Sequence, residues 1–169
     1  MNIFIIGTGL IGGSMALDIQ SIYDNAVLFG IDSNENHLDQ ALQLGVIHQK
    51  ATVSDLSNAD FVILAVPVDI ALVILPEILE AIGEETLVFD VGSTKLPICE
   101  VVENHPNRRN FMACHPIAGT EFSGPKAAVK GLFEGKTNII CEVEKTTFKL
   151  QEKGMDLFRK LGMRIRYMN

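Results

Sequence analysis

Positive charge is scarce in the first half of this sequence. Of the 14 lysines and arginines, only Lys50 precedes Lys95, and the formal net charge is -7. A chain so charged lacks the basic field that nucleic acid or an anionic membrane demands of a partner, so neither is expected. The same scarcity argues against a secretory leader, whose apolar stretch follows a basic segment. Nor is there a run of roughly 18 to 20 apolar residues of the kind that crosses a bilayer. Cysteine is sparse and odd in number: Cys99, Cys114 and Cys141 fit neither zinc spacing nor a disulfide framework. They read as three reduced thiols of a cytoplasmic protein without a metal site. Internal repeats, low-complexity runs and linkers are also missing, and 169 residues with 47% apolar content suit one domain with a sizeable core.

What is present is alternation. Short apolar runs read as strands at Asn2–Ile6, Ala26–Ile31, Phe61–Val66, Thr86–Val91, Asn110–Cys114, Thr137–Val143 and Met163–Tyr167. They are β-branched or apolar almost throughout, as strands covered on both faces should be. Helical patterns fill Leu10–Tyr23, Asn34–Leu44, Val68–Ile82, Thr94–Asn104 and Thr146–Leu161, with Gly45, Gly83 and Gly162 just past three of the ends. The expected fold is α/β, a doubly wound and mostly parallel sheet of Rossmann type with helices on both faces. Pro76 should kink or split its helix. The stretch His115–Gly135 is long and irregular, which marks a functional loop, with Lys126–Phe133 offering a short helix.

Gly7, Gly9 and Gly12 form G-x-G-x-x-G between the first strand and the first helix. In that position the pattern has a mechanism: a tight turn at Gly7, close approach of a diphosphate at Gly9, and helix-strand packing at Gly12. The helix N-terminus supplies free N–H groups and about half a positive charge, so the missing lysines are not needed. Asp32 closes the next strand, 20 residues beyond Gly12. A carboxylate there accepts from both ribose hydroxyls and repels a 2′-phosphate. No Arg or Lys follows among Ser33, Asn34 and Glu35, so the expected cofactor is NAD rather than NADP. Thr8, Leu10 and Ile11 within the glycine loop, Ser33, the strand end Val66–Pro67, and Gly92–Ser93 complete the expected cofactor contacts.

Two later segments point from a cofactor domain to an enzyme. DVGSTK, Asp90–Lys95, brings Ser93 to one strand end, and ACHPIAGTEFSGP, Ala113–Pro125, brings His115 to the next. An imidazole titrating near 6.5 suits proton removal from a hydroxyl whose carbon gives up hydride, with Ser93 orienting either group. His37, His48 and His105 read as surface or satisfied histidines, and Lys95, Arg108, Arg109 and Lys126 as ordinary solvated charges. A Ser93–His115 hydrolase is disfavoured, since there is no G-x-S-x-G elbow.

GTGLIGGS, the strand-end Asp32, VGSTK and above all HPIAGTEFSGP resemble, in order along the whole chain, the nucleotide-binding domain of prephenate dehydrogenase. That family serves tyrosine biosynthesis. The resemblance implies oxidation of prephenate by NAD: hydride leaves the hydroxyl-bearing ring carbon, CO2 leaves the opposite carbon, and 4-hydroxyphenylpyruvate forms. His115 is implied as the residue that binds the ring hydroxyl and withdraws its proton, Ser93 as its neighbour, and Thr120 and Glu121 as the lining of the substrate entrance. It also implies a homodimer formed through a helical domain that supplies a carboxylate-binding arginine. The chain ends at RIRYMN without such a domain, so the expectation is NAD binding with little turnover unaided. Arogenate dehydrogenase shares these motifs. A different β-hydroxyacid dehydrogenase, with a catalytic lysine in a later helical domain, shares only the glycine motif and the AVP-like strand end. A noncatalytic NAD-binding module is the reading from another class.

Overall fold

A computed structural model describes residues 1–120 and 122–168. In chain order its elements are β1 (Asn2–Ile6), α1 (Leu10–Ile22), β2 (Val27–Ile31), α2 (Glu35–Gln43), β3 (Gln49–Lys50), β4 (Phe61–Leu64) and α3 (Val68–Ala81). There follow β5 (Leu87–Asp90), α4 (Leu96–Val101), β6 (Phe111–Pro116), β7 (Thr137–Cys141), α5 (Phe148–Lys160) and β8 (Arg164–Met168). The strands form one sheet in the order β3-β2-β1-β4-β5-β6-β7-β8. Every pairing is parallel except β6 with β7. The order reverses between β1 and β4, the switch point at which doubly wound sheets open a crevice beyond their strand ends.

Strand alternation divides the core in two. Ile3, Ile5, Phe61, Ile63, Leu87, Phe89, Met112 and Cys114 pack on one face with residues of α1 and α5. Phe4, Ile6, Val62, Leu64, Val88, Phe111 and Ala113 pack on the other with residues of α3 and α4. By the same parity Asp90 on β5 and His115 on β6 share the second face. That face therefore carries the chemistry.

Three expectations are corrected. Of the expected kink or split at Pro76, the split does not occur, because α3 runs unbroken across it. A proline forfeits one backbone bond, and buried Leu75, Ile78 and Leu79 anchor the helix beside the gap. The expected Thr94–Asn104 helix shrinks to Leu96–Val101, with Pro97 fixing its first turn. Lys126–Phe133 forms no helix beyond the single 3-10 turn Pro125–Ala127. Its neighbour Val129 instead donates to Ser14 Oγ at 3.0 Å, and Gly131 donates to Asp18 Oδ1 at 2.7 Å. The long loop is thus laced onto α1.

Candidate active site

The glycine loop is built by close approach. Gly7 has φ +94°, and a Cβ there would lie 2.4 Å from the Ala65 carbonyl oxygen. A Cβ on Gly12 would lie 2.1 Å from the Gly7 carbonyl oxygen and 2.9 Å from Ile5 Cγ2. At Gly9 the same construction meets nothing within 4 Å. The first and third glycines are therefore required by the protein itself. The second faces open space, as a residue would that leaves room for a ligand. Gly9 is also the N-cap of the 13-residue α1, and no side chain caps it. Free first-turn N–H groups and the helix dipole remain there for an anion.

Asp32 holds this loop to β2. Its Oδ2 accepts from Thr8 N and from Thr8 Oγ1, each at 3.0 Å, and its Oδ1 accepts from Asn34 N at 3.0 Å. Helix α2 is capped by Asn34, whose side chain accepts from Asn36 N, which leaves Asp32 free of that duty. Ser33 is exposed beside it. His37 Nδ1 stands 3.7 Å from Asp32 Oδ2, so this histidine belongs to the acid's surroundings. It lies in the first turn of α2, which starts just after Asp32. Leu10 and Ile11 are half-buried at the start of α1, and Val66 half-buried and Pro67 exposed follow the end of β4.

Beyond β4, the site is organised by an ion pair that the sequence reading missed. Asp90 ends β5 with its side chain 2% exposed and pairs with Lys95 Nζ, whose side chain is 11% exposed. Lys95 Nζ also donates to the Cys114 carbonyl at 2.6 Å. The Asp90 carboxylate accepts from Gly92 N at 3.0 Å and from Cys114 N at 3.1 Å. Direct β5–β6 pairing stops at Phe89 and Met112, so Asp90 and Lys95 continue it by side chain where the strands part. Lys95 is therefore no solvated charge. Neither is Arg108, buried and donating to Phe111 O at 2.9 Å and Glu142 Oε2 at 2.9 Å. Burial raises the Asp90 carboxyl above its ordinary range, while Lys95 and the two backbone donors pull it down. Removing either partner alone strands the other, a loss of about 3–5 kcal/mol for a buried pair.

His115 is the next residue along β6 after Cys114 and is partly exposed. Burial, and then the positive charge of Lys95, push its imidazole below the ordinary 6.5. That shift favours the neutral ring, the form a proton acceptor needs. Ser93 is exposed three residues past the end of β5, and among the described residues no hydrogen bond joins it to His115. Thr120 is exposed, its Oγ1 accepting from Phe122 N at 3.2 Å. Glu121 lies outside the described residues. The structure thus gathers Gly7, Thr8, Gly9, Gly12 and Asp32 into one cradle at the switch point. Gly92 and Ser93 stand at the same carboxyl edge of the sheet two strands from β1, and His115 three strands from it.

Fold and crevice together define a dinucleotide-binding α/β domain of the dehydrogenase kind. Residues 15–167 match the family described as prephenate dehydrogenase, nucleotide-binding domain, and the chain belongs to that family. The match begins at Met15, so the cradle ahead of it stands on its geometry. A prephenate dehydrogenase of Bacillus subtilis is 37% identical over 162 residues, 94% of this chain and 44% of that protein. The crystal structure of the Aquifex aeolicus prephenate dehydrogenase in complex with hydroxyphenyl propionate and NAD+ superposes with a TM-score of 0.88 at 31% identity. It covers 100% of this chain and 60% of its own. Synechocystis arogenate dehydrogenase gives 0.90 at 25% identity, again covering 100% of this chain and 60% of its own. The chain spans less than half the length of the Bacillus relative.

Proposed function

We propose that this chain is the cofactor-binding part of an NAD-dependent dehydrogenase that converts prephenate to 4-hydroxyphenylpyruvate in tyrosine biosynthesis. The observation that carries the reading is the partly exposed imidazole of His115 at the sheet edge that also bears the glycine cradle, its basicity lowered by burial and by Lys95. The cradle fits NAD. Gly9 leaves open the space a side chain would fill, α1 presents uncapped amides to a diphosphate, and Asp32 stands ready for ribose hydroxyls at the end of β2. NAD supplies the hydride acceptor.

The residues of the chain do the rest. His115 accepts the proton of the ring hydroxyl as the hydrogen on that carbon departs with its bonding pair. The bond to the opposite carboxylate breaks, CO2 leaves, and its electron pair completes the aromatic ring. The imidazolium then returns its proton to the phenolate. The dianion of prephenate and NAD+ thereby give the anion of 4-hydroxyphenylpyruvate, CO2 and NADH with no net proton. Ser93 contacts the hydroxyl or the nicotinamide, and Thr120 lines the entrance. We place the protein in the cytoplasm, in keeping with its three free thiols, as a homodimer with a helical domain beyond the residues described.

Prephenate oxidation by the full-length protein, followed as NADH absorbance, tests the reading; absence of NADH formation with either prephenate or arogenate defeats it. Arogenate is kept as a second substrate because the Synechocystis arogenate dehydrogenase superposes as well as the prephenate enzyme does. Parallel assays with both substrates decide between them. Two further outcomes follow. Asp32→Ser is expected to narrow the preference for NAD+ over NADP+ by at least tenfold, about 1.4 kcal/mol, read from the two dissociation constants. The acidic limb of the kcat/KM profile should fall below pH 6.5, because burial and Lys95 both disfavour the imidazolium. A limb at or above 6.5 would assign it to another group.

A further inference from the structure

Lys95 makes two bonds that converge on the residue preceding His115. Its ammonium pairs with Asp90, and it donates to the Cys114 carbonyl at 2.6 Å. Asp90 in turn accepts from the Cys114 N–H at 3.1 Å. Both polar groups of the Cys114 peptide are therefore held by one ion pair, and the next side chain along the strand is the imidazole. The pair is closely walled. The Asp90 side chain is only 2% exposed and that of Lys95 only 11%.

We propose that Lys95, anchored by Asp90, is a positioning residue for His115: it fixes the end of β6 that carries the imidazole and sets a positive charge beside it that opposes a second ring proton. This assignment rests on the role proposed above for His115. The charged and titratable groups around that face are Asp90 and Lys95 from the β5 side, Cys99 from α4, Arg108 ahead of β6, and Cys141 and Glu142 from the end of β7. Cys141 pairs with Ala113, which puts it on the same sheet face as His115. Among these, Lys95 is the charge that acts on the imidazole. Glu142 is engaged elsewhere, with Arg108 and Lys145. Burial of Asp90 makes the pair interdependent: the carboxylate keeps the ammonium in place, and the ammonium keeps the carboxylate charged.

The test is the titration of His115 followed by NMR in histidine-labelled protein, with His115→Asn identifying its resonance. Lys95→Met is expected to move the midpoint upward, and Lys95→Arg to restore it toward the wild-type value. Should Lys95→Met not fold with Asp90 left unpaired, the Asp90→Asn/Lys95→Met double variant removes both charges, and the same upward shift is expected. In the full-length enzyme, the loss of kcat/KM in the charge-free variants should be larger at pH 6 than at pH 8. A purely structural lysine would lower activity equally at both pH values and leave the midpoint where it was. An unmoved midpoint in every folded charge-free variant overturns the proposal without touching the dehydrogenase reading. A His115→Asn protein that kept its turnover would remove that reading instead, and with it the catalytic purpose of the pair.

Discussion

Replacing His115 with Asn should lower kcat of the full-length protein by about 10²–10⁴-fold, the usual contribution of a positioned general base, and leave NAD+ affinity essentially unchanged. The two halves of this outcome come from different parts of the sheet. The imidazole sits on β6, partly exposed and disfavoured from taking a proton in the resting state by burial and by Lys95. The cradle sits three strands away, where Thr8 bonds to Asp32 and Gly7 N donates to the Ile31 carbonyl without help from β6. Asn preserves a hydrogen-bonding side chain of similar reach but cannot carry a proton away. A fall in kcat with a steady dissociation constant for NAD+, measured by titration calorimetry, separates a catalyst from a noncatalytic binding module. A sensor would lose nothing measurable.

The parts of this molecule that were legible in the sequence are those written in local pattern. Apolar runs such as Asn2–Ile6 and Phe61–Leu64 became buried parallel strands because both faces of the sheet are covered. The glycine spacing located the cradle because each glycine answers to a local constraint. Less was legible where meaning depends on which strands become neighbours. The two-residue edge strand Gln49–Lys50 is polar and exposed, so no periodicity marks it. Asp90 reads as part of the strand Thr86–Val91 with no role of its own, and Lys95 as an ordinary solvated charge. Only the β5–β6 register turns them inward, toward the Cys114 peptide. One signal was available: Asp90 directly follows Leu87, Val88 and Phe89, a fully buried run, and an acid at that place seeks a cation within reach. His37 was similarly hidden, because α2 must fold before its ring approaches Asp32.

The glycines allow function to be separated from folding in one pair of substitutions. Gly12→Ala places a methyl group where the Gly7 carbonyl oxygen would be 2.1 Å away and Ile5 Cγ2 2.9 Å away. Backbone cannot yield as a flexible side chain can, so the expected loss is about 3 kcal/mol, roughly 6–12 °C in melting temperature for a chain of this size. Gly9→Ala meets no atom within 4 Å, and its φ of -75° with ψ of -158° is extended backbone that alanine adopts freely. Its folding cost is at most that of an ordinary N-cap change, a few tenths to about 1 kcal/mol. Yet its methyl group would project into the space where a diphosphate must lie against the α1 amides, so NAD+ affinity should fall at least tenfold. Calorimetric melting and NAD+ titration of the two variants side by side provide the check. If Gly9→Ala bound NAD+ as tightly as the wild type, the open space at Gly9 would be solvent, and the loop a turn with no ligand to serve.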